Sequence, residues 1–170
     1  MDSKITVGDL SIPAVGFGTY LCSDDEAREC VAHALKSGYR HIDTAEFYDN
    51  HKGIAAGIAE SGVPREDIFI TDKVNPGGLF DQPGRTADEI RASLKSSLEK
   101  LNVQYVDLYL IHHPAAKEQR LDQWRALIAL QEEGLVKHIG VSNFCIAHLE
   151  EIKVGVVISL IMSDAFTVSA

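Results

Sequence analysis

The sequence predicts an α/β fold in which strands and helices alternate and the helices pack outside a parallel sheet. Three observations carry that expectation. Strand-like runs alternate with helical patterns at roughly the 30-residue interval of a βαβ unit. The later runs, such as Val106 to Ile111, are apolar along nearly their whole length instead of alternating, as befits strands covered on both faces. Glycine or proline closes several of the helical patterns, which gives those units a marked end.

Ile5-Thr6-Val7 and Leu10-Ser11-Ile12 flank Gly8-Asp9 and predict a hairpin able to plug the bottom of a barrel. Pro13 ends it. Ala14 to Tyr20 reads as a first buried strand whose Gly18 admits another backbone at close range. Ser23 or Asp24 then caps a helix with Ala27, Val31, Ala34 and Leu35 on one apolar face; Cys30 is assigned to that face, and Gly38 stops the helix. Arg40 to Asp43 predicts the second strand. A helix follows over 50–60, carrying Ile54 and Ile58 and ended by Gly62 and Pro64.

Ile68 to Thr71 predicts the third strand, and the Gly/Pro-rich stretch over 75–85 a loop over the mouth, since its glycines match no phosphate-binding spacing. Thr86 with Glu89 forms a capping box for a helix whose apolar face is Ile90, Leu94, Leu98 and Leu101. Val106 to Ile111 is the fourth strand, Leu121 to Glu133 a helix with Trp124, Leu127 and Ile128 inward, and His138 to Val141 the fifth strand. A short helix is expected over Ile146 to Glu151. Residues 1–152 are thereby expected to form five strand–helix units, and 153–170 a divergent tail in which Lys153 to Met162 can add a sixth strand.

Composition narrows the function classes. The 170 residues are 45% hydrophobic, enough for one core. The 16 Lys+Arg against 25 Asp+Glu give a formal charge of -9, which phosphate backbones would repel, so no nucleic-acid partner is expected. The longest apolar run, Val154 to Met162, falls well short of the ~20 residues that span a bilayer, and no signal-peptide pattern opens the chain; a soluble, cytoplasmic protein is expected. Cys22, Cys30 and Cys145 are odd in number and far apart, indicating neither a disulfide framework nor a zinc site. No clustered His/Cys/carboxylate set suggests a catalytic metal.

Parallel strands would bring Asp43, Tyr48, Lys73 and His112 to one rim, because each follows or ends a strand. Singly, Asp43 is explained as a helix cap, Lys73 as a solvated charge and His112 as a strand-end histidine. Jointly, a phenol, an ammonium, a carboxylate and an imidazole are the parts of a site that protonates a carbonyl oxygen as hydride reaches its carbon.

Gly38-Tyr39-Arg40-His41-Ile42-Asp43-Thr44-Ala45 with Tyr48 and Asn50, and Ile128 with Lys137-His138-Ile139-Gly140-Val141-Ser142-Asn143-Phe144, resemble the two signatures of the aldo-keto reductases. The resemblance covers about residues 4 to 152. It implies a partial (β/α)8 TIM barrel and reduction of aldehydes or ketones with NADPH (NADP+). It also implies Tyr48 as general acid, Lys73 as the cation that lowers its pKa, Asp43 as the carboxylate paired with that lysine, and His112 as the group orienting the carbonyl. Ser142 and Asn143 are implied to meet the nicotinamide carboxamide, Gly18, Thr19 and Asp43 to edge the cofactor site, and Tyr20 and His113 to line the substrate pocket.

The departures from the family pattern are His51, where Glu or Gln is usual, and Ala55, where Gly is usual; both are expected to bear on packing. His113 stands where Trp is common. After Glu151 the match is lost, and with it the later cofactor-binding groups, as in a truncated chain continued out of family by a frameshift or retained intron. An open barrel edge would then favour self-association. A second reading is therefore a catalytically inactive truncated relative that binds a full-length subunit or cofactor only; a third is a subunit that senses nicotinamide without turnover.

Overall fold

The computed structural model describes residues 3–153 and 162–163. The hairpin is β1 (Lys4–Val7) paired antiparallel with β2 (Leu10–Pro13). Gly8 between them sits at φ 62°, the left-handed region that a residue without a Cβ enters freely. There follow β3 (Phe17–Gly18), α1 (Asp24–Lys36), β4 (His41–Asp43), α2 (His51–Ser61), β5 (Phe69–Val74), α3 (Ala87–Leu101), β6 (Val106–Ile111), α4 (Arg120–Glu132), β7 (Val136–Ser142), α5 (Ile146–Lys153) and β8 (Met162–Ser163).

Strands β3 to β8 form one parallel sheet in chain order, the wall of a partial barrel with its helices to one side. The hairpin is a separate sheet. Of the candidate sixth strand, Met162 lies in β8, which also takes in Ser163 and sets the two in register with Val141 and Ser142, while Lys153 instead ends α5; residues 154–161 and 164–170 lie outside the described residues.

Local chemistry explains the helix starts. Ser23 and Thr86 each close a full capping box, with Glu26 and Glu89 returning the bond. The apolar faces read from spacing are buried: Ala27, Val31 and Leu35 on α1, Ile90, Leu94 and Leu101 on α3, Trp124 and Leu127 on α4. They join Ile42, Ile70, Val74, Tyr109 and Ile111 from the strands in one core between sheet and helices. Ile58 and Ile128 are only half-buried, packed at its margin.

The structure corrects four expectations. Ala14 to Tyr20 is not a buried strand: only Phe17 and Gly18 are in strand, with β4 as their partner, and Ala14 and Val15 are exposed. Gly18 meets no close backbone, since an added Cβ would have open space; Gly16 is the crowded position, where an added Cβ would lie 2.6 Å from the His41 ring. Cys30 is exposed, because at three residues beyond Ala27 it falls to the side of the stripe that Val31, Ala34 and Leu35 complete. Strand β5 also runs on past Thr71 to Val74. Its polar Asp72 and Lys73 looked like a strand end but are buried against partners.

Candidate active site

Parallel register puts the ends of β3 to β7 at one mouth. Gly18 pairs with Asp43, Asp43 with Thr71, and Lys73 with Leu110; His112 follows β6 directly. Asp43 ends β4, and the chain then makes a 3₁₀ turn over Glu46–Tyr48, closed by the Tyr48 N–H donating to the Ala45 carbonyl at 3.0 Å. Tyr48 is thereby delivered to the rim next to Lys73.

The four candidate catalytic groups are brought together. The Lys73 ammonium, its side chain 7% exposed, donates to Asp43 Oδ1 at 2.5 Å and to the Thr44 carbonyl at 3.1 Å. Its Nζ stands 5.4 Å from the centre of the Tyr48 ring. The His112 ring meets that of Tyr48 edge-on at 5.8 Å between centres, and the Tyr20 ring lies tilted against that of Tyr48 at 5.0 Å. The pairing sets a carboxylate at hydrogen-bond distance from a buried ammonium, the counter-charge that burial calls for.

The electrostatics differ in one respect from the sequence expectation. Lys73 does pull the Tyr48 phenol downward, but burial pushes it up by more, so its pKa lies above the ordinary tyrosine value. Tyr48 therefore holds its proton throughout the neutral range. His112 is driven the other way: burial, then the Lys73 ammonium, then His113, lower its pKa to about 4. At neutral pH it is an uncharged imidazole, a hydrogen-bond donor and not a strong acid. Burial likewise lowers His113.

Above these groups opens a cavity of about 520 Å³, within the ~300–1,000 Å³ range of small-molecule sites. Tyr20, Phe47, Tyr48, Leu79 and Phe80 give it an apolar wall, and His112, His113, Asn75, Gln82 and Asn143 its polar groups. Phe47, Leu79, Phe80, Asn75 and Gln82 were not singled out in the sequence. The expectation that the loop over 75–85 overhangs the mouth was the signal that could have found the last four.

The remaining candidates divide. Asn143, at φ 62°, turns its amide Nδ2 to the His112 carbonyl at 2.8 Å and to Ser142 Oγ at 3.1 Å. Ser142 is buried at the end of β7. Thr19 is fully buried and turned inward: its hydroxyl donates to Thr44 Oγ1 at 3.0 Å, its N–H to the Asp43 carbonyl at 3.0 Å, and its carbonyl accepts from Asn50 Nδ2 at 2.8 Å. It ties the end of β3 to β4, while Gly18 beside it leaves open space. His51 does more than pack, because its ring bonds the buried Asp72.

Among the described residues no group of three or more His, Cys, Asp or Glu could hold a metal ion. No described helix is long and apolar enough to cross a membrane.

Comparison with known proteins matches residues 14–164 to the sequence model of the aldo/keto reductase family. The chain is 46% identical over 144 residues to the glyoxal reductase of Bacillus subtilis, an alignment that covers 84% of the chain and 50% of the relative. Among solved structures it superposes on an aldo/keto reductase from Brucella melitensis with a TM-score of 0.81 at 43% identity, covering 88% of this chain and 57% of that one. A Bombyx mori aldo-keto reductase in complex with NADP gives a TM-score of 0.81 at 34% identity, covering 92% and 55%. The chain spans about half the length of the curated relatives it matches.

Proposed function

The chain belongs to the aldo/keto reductase family, and from that premise we propose that it reduces small aldehydes or ketones to alcohols with NADPH, Tyr48 supplying the proton. The observation that carries the reading is the grouping of Tyr48, Lys73, Asp43 and His112 at one mouth, with Tyr48 and His112 facing one cavity. A protonated phenol over a buried ammonium is a donor whose conjugate base is stabilised as it forms. Asp43 holds that ammonium in place. Neutral His112 can donate one hydrogen bond to the carbonyl oxygen, holding it toward Tyr48 without competing as the acid.

The donor set also fits a nicotinamide. Its carboxamide asks for a donor at its carbonyl and acceptors for its two N–H groups, and the Ser142 hydroxyl and Asn143 Oδ1 offer a donor and one acceptor side by side, Asn143 Nδ2 being committed to protein. Bound there, the reduced nicotinamide would supply the hydride. The choice of NADPH over NADH follows the Bombyx mori relative solved with NADP, and small reactive carbonyls as substrates follow the glyoxal reductase of Bacillus subtilis.

The test is NADPH oxidation followed by absorbance, with glyoxal and a reactive aromatic aldehyde as substrates. Aldehyde-dependent oxidation is expected for the chain and a loss of roughly 10²–10⁴-fold for Tyr48→Phe. No turnover by the chain under conditions where a full-length relative works would overturn the proposal. Equal rates for the two proteins would overturn the role of Tyr48.

A further inference from the structure

Tyr48 ends a single 3₁₀ turn, a short element with little backbone bonding of its own. Proton delivery nonetheless depends on placement to a fraction of an ångström. Of two side chains that flank the tyrosine, one reaches the strand that carries Lys73 and the other the residue directly after that strand. Before it, both Glu46 carboxylate oxygens accept from Arg85 Nη1 at 2.8 Å, and Oε2 also accepts the Asn75 N–H at 3.0 Å. After it, His51 Nε2 donates to Asp72 Oδ1 at 3.0 Å, with side chains 2% and 0% exposed.

The symmetry is informative: Glu46 and His51 bracket Tyr48 as Asn75 and Asp72 bracket Lys73. Strand alternation puts Asp72 with Ile70 and Val74 on the helix side of β5 and Lys73 on the other. The His51 bond therefore passes behind the sheet, and neither His51 nor Glu46 lines the cavity. Packing alone would not call for it, since Asp72 Oδ2 stays buried with no hydrogen-bond partner among the described residues, which an apolar pair would avoid.

We propose that Glu46 and His51 are positioning residues that brace the Tyr48 turn at two points, His51 against β5 and Glu46 against the residue that follows it, and so fix the distance between the Tyr48 phenol and the Lys73 ammonium. The purpose of the brace rests on Tyr48 being the proton donor, but its existence is measurable without turnover. Lys73 from β5, Asp43 from β4, His112 after β6 and Tyr20 after β3 face the phenol, and of these Lys73 is the cation that holds its pKa down.

The experiment is carbon-13 NMR of the whole chain labelled at the tyrosine ring carbon bearing oxygen, with Tyr48→Phe assigning the Tyr48 signal. His51→Ala is expected to shift the Tyr48 titration upward and to lower kcat roughly tenfold or more with KM held. His51→Gln, whose amide can still donate to Asp72, is expected to restore both. Glu46→Ala removes a partly exposed side chain and leaves the core intact; it is expected to shift the titration in the same direction, and serves if His51→Ala does not fold. An unchanged Tyr48 titration in these alanine variants, or an equal shift in His51→Ala and His51→Gln, overturns the brace. A titration that responds as expected in a chain without turnover upholds the brace and removes the proposed activity.

Discussion

Replacing Gly53 by alanine tests how tightly α2 is held against α1, and so how the site's framework is built. By intrinsic propensity the change should help, because alanine in a helix interior is favoured over glycine by about 1 kcal/mol. The structure reverses the sign. A Cβ on Gly53 would lie 2.0 Å from the Asp24 carbonyl oxygen and 2.7 and 2.8 Å from that residue's C and Cα, all backbone atoms that cannot rotate away. The Gly53 N–H also donates to Asp24 Oδ1 at 2.7 Å, so the helices cannot part without losing a charge-assisted bond. Relief needs a shift of about an ångström, at the upper end of the ~1–3 kcal/mol that overpacking costs. With the propensity gain subtracted, a net loss of about 2 kcal/mol follows, or roughly 4–8 °C in Tm for a chain of this size. Thermal unfolding followed by circular dichroism measures it, with Gly57→Ala, whose Cβ would lie 2.6 Å from the Arg28 carbonyl, expected to behave alike. A Tm unchanged or raised in Gly53→Ala would refute the close helix contact.

At the opposite end of the sheet, Asp107 accepts from Arg65 Nη2 at 2.7 Å and from the Ile70 N–H at 3.0 Å, and pairs with Lys137 at 3.1 Å. Asp107→Ala is expected to cost about 2–3 kcal/mol on chemical denaturation while leaving turnover per folded molecule unchanged. Lys73→Met should raise the Tyr48 pKa further, since it removes the cation that opposes burial, and should lower turnover roughly 10²-fold or more with cofactor binding retained, read from kinetics and a fluorescence titration. His112 has a folded-state pKa of about 4, below the ordinary 6.5 of an unfolded histidine, so the unfolded chain binds more protons between those values. Its contribution to stability is complete above 6.5 and is lost as pH falls from there towards 4. His112→Gln should flatten Tm against pH over that window relative to the parent chain.

The α/β alternation was legible because the helix faces and capping boxes are local: Ser23 with Glu26 and Thr86 with Glu89 sit three residues apart and bond as the spacing requires. The grouping of Asp43, Tyr48, Lys73 and His112 followed from parallel strands and needed no long-range knowledge beyond that. What was misread depended on neighbours distant in sequence. Gly16 and Gly18 look alike in the chain, yet only Gly16 faces the His41 ring. Thr19 was legible as a residue of the rim but not as one whose hydroxyl is spent on Thr44, 25 positions away. The upward displacement of the Tyr48 pKa likewise depends on how much protein covers the ring, which spacing does not reveal.

Transfer of deuterium from NADPH carrying two deuterons at the nicotinamide C4 position into the alcohol product reports the proposed hydride step itself. With the whole chain and an aldehyde, one deuterium is expected on the carbon that bore the carbonyl, detected by mass spectrometry, and labelled alcohol is expected to form roughly 10²–10⁴-fold more slowly with Tyr48→Phe. Alcohol formed without the label, or labelled alcohol formed as fast by the Tyr48→Phe chain, would rule out hydride transfer with Tyr48 as the acid.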